Sequence, residues 1–386
     1  MACKGKTAGI ICEYNPFHNG HKYQIEQTKK DTGCENIICA MSGSMVQRGD
    51  VAIFDKWTRS KAALEGGADL VIELPAYYVL QSAQNFALGG VELLSGLGVA
   101  DVLSFGSETG DTELLKNTAR LLCEEPPKFR RELESALDGG MGYPSALQQA
   151  IKACTGINLN PNDTLAVNYL SAIKRTNSSL EPYVLKRTVP YHSESAEDGV
   201  NASATAIRSM LRQGSDISSF VPVTYATEEY DIKRIESLVL GFFRLCNPSD
   251  LKNIIGMEEG LENRLVSCAR QASDYEEFVS SAVTRRYTAH RIRRVVLGCL
   301  LGIVPQKKLD YVRVLGFNEK GRELLSEIKE KSDLAIVTKT AGFEPGCDSM
   351  FGYDILATDI ASLCCSDCSK RISGADYVNS PVIIRS

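Results

Sequence analysis

Two of the chain's four histidines, His18 and His21, stand three residues apart around Asn19-Gly20, directly after the short apolar run Gly9-Ile10-Ile11-Cys12. At that spacing on the first turn of a helix the two imidazoles share one face. Each ring has a nitrogen that can donate a hydrogen bond to a phosphate oxygen. The N-terminus of the helix attracts anions through its unsatisfied N–H groups and its dipole. Gly20 lets a phosphate approach the backbone closely. Donors so arranged stabilise the charge that develops on a departing pyrophosphate. A helix cap or a core position is the plainer alternative for the pair. Zinc is a third, but no further ligand stands at a recognisable spacing. The position between an apolar run and a helix favours phosphate chemistry, and His18 and His21 are the expected catalytic pair.

A second turn of this kind is Ser203-Ala204-Thr205-Ala206-Ile207-Arg208. The hydroxyls of Ser203 and Thr205 at a helix start form another anion cradle, to which Arg208 adds charge. Alone this reads as an ordinary N-cap. Paired with the histidines, it gives one polyphosphate two points of attachment.

The elements that must position these groups alternate through the first half. Apolar runs at 7–14, 35–43, 68–75, 100–108 and 182–187 read as strands. Helical patterns at 21–32, 55–67, 82–97 and 165–174 separate them, with a charged helical insertion over 111–153 and a helix over 202–214. Strands that are apolar throughout and alternate with helices predict an α/β fold, a doubly wound parallel sheet covered on both faces. Ligands of such sheets bind outside the carboxyl ends of the strands, where His18 and His21 fall. From 231 onward the spacing is mostly helical, with long amphipathic segments at 259–282 and 285–303, a turn and helix over 309–331 and a short strand at 334–339. The expected division is a catalytic domain over 1–225 and a mainly helical domain over 226–386.

Composition excludes little but sets bounds. A chain of 386 residues, 44% apolar and 24% charged, builds its cores without metals or disulfides. The net charge of −5 means that a nucleic-acid partner needs a local basic surface. Thirteen scattered cysteines, an N-terminus Met-Ala-Cys-Lys-Gly-Lys without an apolar core, and no apolar run of bilayer length lead us to expect a cytoplasmic protein with reduced thiols. The CxxC at Cys365 and Cys368 has no companion that would complete a zinc set.

His-Asn-Gly-His and Ser-Ala-Thr-Ala-Ile-Arg resemble the motifs of the HxGH nucleotidyltransferase superfamily, which gives the expected domain its nucleotidyltransferase-like Rossmann character. The segments EYNPFHNGH, QRGD, DKWTRSKAALEGGADLVIELP, SFGSE and PND resemble, more narrowly, the bacterial tRNA(Met) cytidine acetate ligase family. The likeness runs through most of residues 7–214 and more weakly beyond. It implies ATP as substrate, activation of acetate as acetyl-adenylate with release of pyrophosphate, and acetylation of N4 of the wobble cytidine of elongator tRNA(Met). It implies a nucleotide loop made of Ile11, Cys12, Glu13, Tyr14, Asn15, Pro16, Phe17, His18, Asn19, Gly20, His21, Lys22, Tyr23 and Gln24. It adds Gly106, Asn162, Arg187 and Thr188 as further ATP contacts. Gly106 and Arg187 stand at carboxyl ends of predicted strands and Asn162 on a predicted loop, so all three are expected at one crevice. Magnesium is expected with the ATP, without a dedicated ligand set. Ser44-Met45, Asp163 and the LAVNYL segment depart from the family pattern and are expected at the crevice edge.

For RNA, the stretch from Arg285 to Arg294 holds Arg285, Arg286, Arg291, Arg293 and Arg294 with no acid. On a helix these residues cover more than one face and predict a basic surface, with Tyr287 and His290 placed to stack or bond beside RNA. A solvated face balanced by Glu276 or Glu277 is the alternative. Lys56, Arg59 and Lys61 read as a second basic group near the crevice. Two rival functions fit parts of this pattern: a nucleotidyltransferase acting on a small phosphate-bearing metabolite, and a nucleotide-regulated RNA-binding protein without catalysis.

Overall fold

The computed structural model describes residues 5–187, 202–225, 228–305, 308–341 and 349–385. Its strands are β1 (Thr7–Cys12), β2 (Asn36–Ser42), β3 (Met45–Val46), β4 (Asp50–Val51), β5 (Leu70–Leu74), β6 (Val102–Ser107), β7 (Glu181–Lys186), β8 (Tyr311–Phe317), β9 (Ala335–Val337) and β10 (Val382–Ile383). The first-half helices are α1 (Asn19–Thr32), α2 (Lys56–Glu65), α3 (Ala76–Val79), α4 (Ala83–Gly96), α5 (Thr112–Glu124), α6 (Pro127–Asp138), α7 (Tyr143–Thr155), α8 (Pro161–Arg175) and α9 (Ala204–Arg212). The second half supplies α10 (Glu236–Leu245), α11 (Leu261–Gln271), α12 (Tyr275–Ala282), α13 (Ala289–Leu300), α14 (Glu319–Lys331), α15 (Met350–Ser362) and α16 (Ala375–Val378).

The main sheet runs β10-β8-β5-β2-β1-β6-β7, with β9 beside β8. All its pairings are parallel except β5 with β8. Successive side chains of a strand point to opposite faces, and the two cores follow that alternation. Ile11, Ile38, Ala40, Ile72 and Leu103 face α4 and α8, while Ala8, Ile10, Ile37, Cys39 and Val71 face α1 and α2. At about 1.5–3 kcal/mol for each large aliphatic side chain buried, such two-faced strands explain why their sequences are continuous apolar runs. The order changes direction at β1, whose neighbours are β2 on one side and β6 on the other. That topological switch point opens a crevice at the carboxyl end of β1.

The sheet crosses the expected division near residue 225. β8 lies antiparallel to β5, with Leu70 opposite Phe317, and β10 lies against β8. One continuous core joins Ile72 and Leu103 to Val239, Phe243, Leu265, Phe278 and Val296 of the helical half. The sequence reading of a turn and helix over 309–331 misses β8, because Arg313 interrupts the apolar run Tyr-Val-Arg-Val-Leu. Arg313 is nevertheless buried, 3.5 Å from Asp376. Asp376 also meets Lys56 at 2.9 Å, and Lys56 meets Glu73 at 2.9 Å, all inside the protein. Lys56 is therefore no part of a basic surface. Nor is Arg59, whose buried guanidinium donates to the carbonyls of Glu13, Ser42, Gly43 and Phe54. Of that trio Lys61 alone is exposed, and it lies 3.7 Å from Glu65.

Candidate active site

After Cys12 the chain must turn sharply from β1 into α1. Tyr14 takes a left-handed conformation (φ 45°), and the Asn15–Pro16 peptide is cis. Phe17 is driven into the core, edge-on to Tyr14 with centroids 4.8 Å apart. It lies so close to α2's end that a β-carbon at Gly66 would sit 2.2 Å from its ring, which only glycine permits. The Asn15 side-chain carbonyl accepts from Ile53 N at 2.7 Å, and Arg59 Nη1 donates to Glu13 O at 2.6 Å. The turn is thus pinned from β2, α2 and the segment before α2.

This turn delivers His18 as the N-cap of α1 and His21 as its third residue. Gly20 N donates to His18 Nδ1 at 3.1 Å, and His18 N donates to His21 Nδ1 at 3.2 Å. The arrangement is a capping box built from two imidazoles. The rings stack with centroids 3.7 Å apart. A nitrogen that accepts from an amide carries no proton, so each neutral ring holds its proton on Nε2. Burial drives the His18 pKa down to about 3, helped by Arg187 and Arg208, and burial with His18 and Arg187 drives His21 well below its usual value. Both are neutral Nε2–H donors at physiological pH. The space at Gly20 is filled by the His18 ring, whose Cε1 would lie 3.0 Å from a β-carbon there. That glycine accommodates the cap, and the residue itself is exposed.

The second motif lies beside the first. Ser203 caps α9 by accepting from Ala206 N at 3.1 Å. Arg208 Nη1 reaches back to Asn15 O at 2.7 Å and Nη2 to Thr205 Oγ1 at 3.1 Å. The chain after α9 closes over α1, with Asn19 N donating to Phe220 O and Tyr225 OH to Phe17 O. Two helix N-termini therefore converge on a cleft of about 250 Å³ at the carboxyl end of β1.

The cleft gathers Ile11, Cys12, Glu13, Tyr14, Asn15, His18, His21 and Gln24 from the first turn, with Gly106, Asn162, Arg187, Ser203, Thr205 and Arg208. Pro16, Phe17, Asn19, Gly20, Lys22 and Tyr23 are not among its walls: Pro16 and Phe17 are buried under the turn, and Lys22 and Tyr23 point to solvent. Thr188 lies outside the described residues. Asn162 is in the first turn of α8, not on a loop, and its Nδ2 donates to Glu108 at 2.7 Å. Gly106 leaves room for the Arg187 stem, 3.3 Å from a β-carbon there. The departures at Ser44, Met45, Asp163 and Asn168 stay out of the lining, while Leu165 and Tyr169 of the LAVNYL segment belong to it. Ser44 donates to Thr358, Met45 is in the core, Asp163 is buried accepting from Thr109 N, and Asn168 donates to Thr164 O.

Sequence reasoning gave no site role to Val46, Gln47, Arg48 and Asp50 of the β3–β4 hairpin, nor to Phe86 and Phe105, which form the apolar wall with Leu165 and Tyr169 of the segment expected at the crevice edge. The charged pair inside Gln-Arg-Gly-Asp, between two strands, was a signal for the hairpin. The aromatic wall gave none, since its residues read as core. The hairpin rests on α13: Gly49 packs on the backbone of Arg293 and Arg294, Arg294 Nη1 donates to Gln47 O at 3.0 Å, and His290 Nδ1 stands 3.2 Å from Arg48 O. The basic stretch does not form one helix. Arg285 and Arg286 are exposed in the turn before Thr288 caps α13. Arg291 pairs with Glu258 and lies over buried Tyr287, while Arg293 pairs with Glu276, both at 2.6 Å.

A parallel sheet whose first strand ends in paired imidazoles at a helix N-terminus, faced by a Ser/Thr-capped helix, defines a nucleotide-binding transferase or ligase site. The sequence model of the family described as HIGH Nucleotidyl Transferase matches residues 5–376. The tRNA(Met) cytidine acetate ligase of Acetivibrio thermocellus is 38% identical, covering 98% of this chain and 100% of that protein. The protein of the same name from Clostridium kluyveri is 36% identical over 98% of this chain and 99% of its own length. The crystal structure of Thermotoga maritima TmcAL bound with alpha-thio ATP matches with a TM-score of 0.86 at 30% identity, over 99% of this chain and 100% of that one. Its apo form I matches with a TM-score of 0.88 at 31% identity over the same shares. The chain belongs to the tRNA(Met) cytidine acetate ligase family of the HIGH nucleotidyl transferases.

Proposed function

We propose that this protein activates acetate with ATP and acetylates N4 of the wobble cytidine of elongator tRNA(Met). The observation that carries this reading is the cleft at the β1 switch point, where two Nε2–H imidazoles, two helix N-termini and Arg48, Arg187 and Arg208 meet. Its charge and its donors suit a polyphosphate, and relatives over the whole chain are named for the reaction. An acetate oxygen attacks the α-phosphorus, the bond from that phosphorus to the bridging oxygen breaks, and pyrophosphate leaves with the electron pair. His18 and His21 donate through Nε2 to the phosphate oxygens that gain charge. The cytidine amine then attacks the acetyl carbonyl and AMP departs.

The roles of Ile11 to Asn15, Gln24, Gly106, Asn162, Arg187, Ser203, Thr205 and Arg208 as ATP contacts belong to this reading. So does tRNA binding by residues 226–386 through Arg285, Arg286, Arg291, Arg293 and Arg294. The support for the latter is that α13 buttresses the hairpin lining the cleft. Magnesium travels with the polyphosphate. Among the described residues no group of three or more His, Cys, Asp or Glu gathers to cage a metal. No described helix is long and apolar enough to cross a membrane, and a tRNA substrate puts the reaction in the cytoplasm.

The test is nucleoside mass spectrometry of unmodified elongator tRNA(Met) after incubation with protein, ATP, magnesium and acetate. N4-acetylcytidine that requires acetate, with AMP and pyrophosphate in equal amounts, is the expected result. Pyrophosphate without acetylcytidine would sink the proposed acceptor.

A further inference from the structure

The second half-reaction needs a group to take the proton that the cytidine amine loses, and the histidines are not available for it. Their Nδ1 atoms accept from Gly20 N and His18 N, and their Nε2 atoms already carry protons. Burial holds Tyr14, Tyr169 and Cys12 in their protonated forms, raising all three. The arginines of the cleft are cations. Among the described lining residues, the carboxylates Glu13 and Asp50 remain.

The two differ in placement. Asp50 accepts from its own neighbour, Val51 N, at 2.8 Å, and its charged surroundings are Arg208 and Arg212 of α9 and Arg293 and Asp231 of the helical half. Glu13 is the first residue beyond β1, on the strand edge where His18 and His21 mark the phosphate position. It is held at both ends. Its carbonyl accepts from Arg59 Nη1 at 2.6 Å, and its Oε1 accepts from Gln47 N at 2.6 Å. No hydrogen bond among the described residues engages Oε2.

We propose that Glu13 is the base of the acetyl-transfer step, an assignment that rests on the ligase reading above. The cytidine N4 lone pair forms the bond to the acetyl carbon, and the bond from that carbon to the adenylate oxygen breaks. AMP leaves with the electron pair, and the N4 proton goes to the Glu13 carboxylate. Burial raises the pKa of this carboxyl, against the pull of Gln47 N–H, Arg48, Arg208 and Arg59. Tyr169 on α8 faces it without adding charge. A carboxylate whose pKa is raised by burial is a stronger base than an exposed one.

Glu13→Gln tests this, because the amide oxygen preserves the acceptor for Gln47 N. Chemically made acetyl-adenylate and unmodified elongator tRNA(Met) isolate the transfer step in single turnover between pH 5.5 and 8.5. Pyrophosphate release from ATP and acetate follows the other step. The expected result is a loss of about 10²–10⁴-fold in transfer, an acid limb in the wild type that vanishes in the variant, and a loss of pyrophosphate release at saturating ATP at least about tenfold smaller than the loss of transfer, since Glu13 also lines the ATP cleft. Transfer within about threefold of wild type, or an equal loss in both steps, would overturn the assignment. So would a loss of transfer in Asp50→Asn with Glu13→Gln unaffected. If Glu13→Gln does not melt cooperatively, Glu13→Asp decides: slowed transfer with the acid limb retained supports the base, and its disappearance refutes it. A wild type that acetylates nothing from acetyl-adenylate sinks the ligase reading itself.

Discussion

Replacing His18 by Asn separates two roles that one ring now combines. His18 caps α1 through Nδ1, at 3.1 Å from Gly20 N, and presents Nε2–H to the cleft. The Asn side-chain oxygen takes the place of Nδ1 and is among the best N-caps, so stability should change by no more than about 0.5 kcal/mol. His18→Ala removes the cap as well and should cost about 1 kcal/mol. Both variants lose the Nε2–H, the donor aimed at the departing pyrophosphate. A donor of this kind carries about 2.7–4 kcal/mol of the barrier, or about 10²–10³ in turnover. The assay pairs urea unfolding at pH 7.5 with acetate-dependent pyrophosphate release. The prediction is an Asn variant as stable as the wild type and about 10²–10³-fold slower. An Asn variant active to within about threefold would mean that His18 is a cap and nothing more.

Three further outcomes follow from the structure. Because the folded His18 pKa lies near 3 against an ordinary 6.5, the unfolded chain takes the proton first. The stability contribution is complete above about pH 6.5 and lost as pH falls, by about 1.4 kcal/mol from this group at pH 5.5; His21 acts in the same direction, and unfolding at pH 5.5 and 7.5 measures it. Lys56→Met leaves Glu73 and Asp376 buried without their shared cation, which should cost about 3–5 kcal/mol, less at pH 5.5 than at pH 8; a loss below 1 kcal/mol in urea unfolding, roughly the size of a surface pair, would contradict it. Arg285→Ala with Arg286→Ala should weaken tRNA(Met) binding and lower its salt slope by about 1 for each phosphate no longer neutralised. Arg291→Ala should do less, since Glu258 already holds that guanidinium, and filter binding across salt concentrations compares the two.

What the sequence reveals and what it hides divide along physical lines. The parallel strands β1, β2, β5 and β6 are legible because burial on both faces leaves apolar runs between helices, and the half-buried edge strand β7 by its short apolar centre Tyr-Val-Leu. Strand β8 is not, because Arg313 sits inside it and its partner Asp376 is distant in the chain. Lys56 and Arg59 read as surface charge for the same reason: the carboxylates and carbonyls that take them into the core come from the turn after β1 and from β2, β5 and α16. At the site, the spacing of His18 and His21 points to the proposed phosphate corner, but their tautomers follow from contacts with Gly20 N and His18 N. The apolar wall of Phe86, Phe105 and Tyr169 looks like core until the cleft is seen. The arginines of α13 look like a continuous basic surface, yet Glu258 and Glu276 hold two of them.

Everything proposed for the cleft turns on acetate itself attacking the α-phosphorus beside His18 and His21. Acetate labelled with oxygen-18 at both oxygens, turned over with ATP and elongator tRNA(Met), tests this directly by mass spectrometry of the nucleotide product. The expected product is AMP that carries one labelled oxygen for each acetylcytidine formed, because the oxygen that joined phosphorus stays with it when the acetyl group leaves. Unlabelled AMP alongside acetylcytidine would contradict the mechanism, and would move the activation of acetate to another phosphorus or another bond.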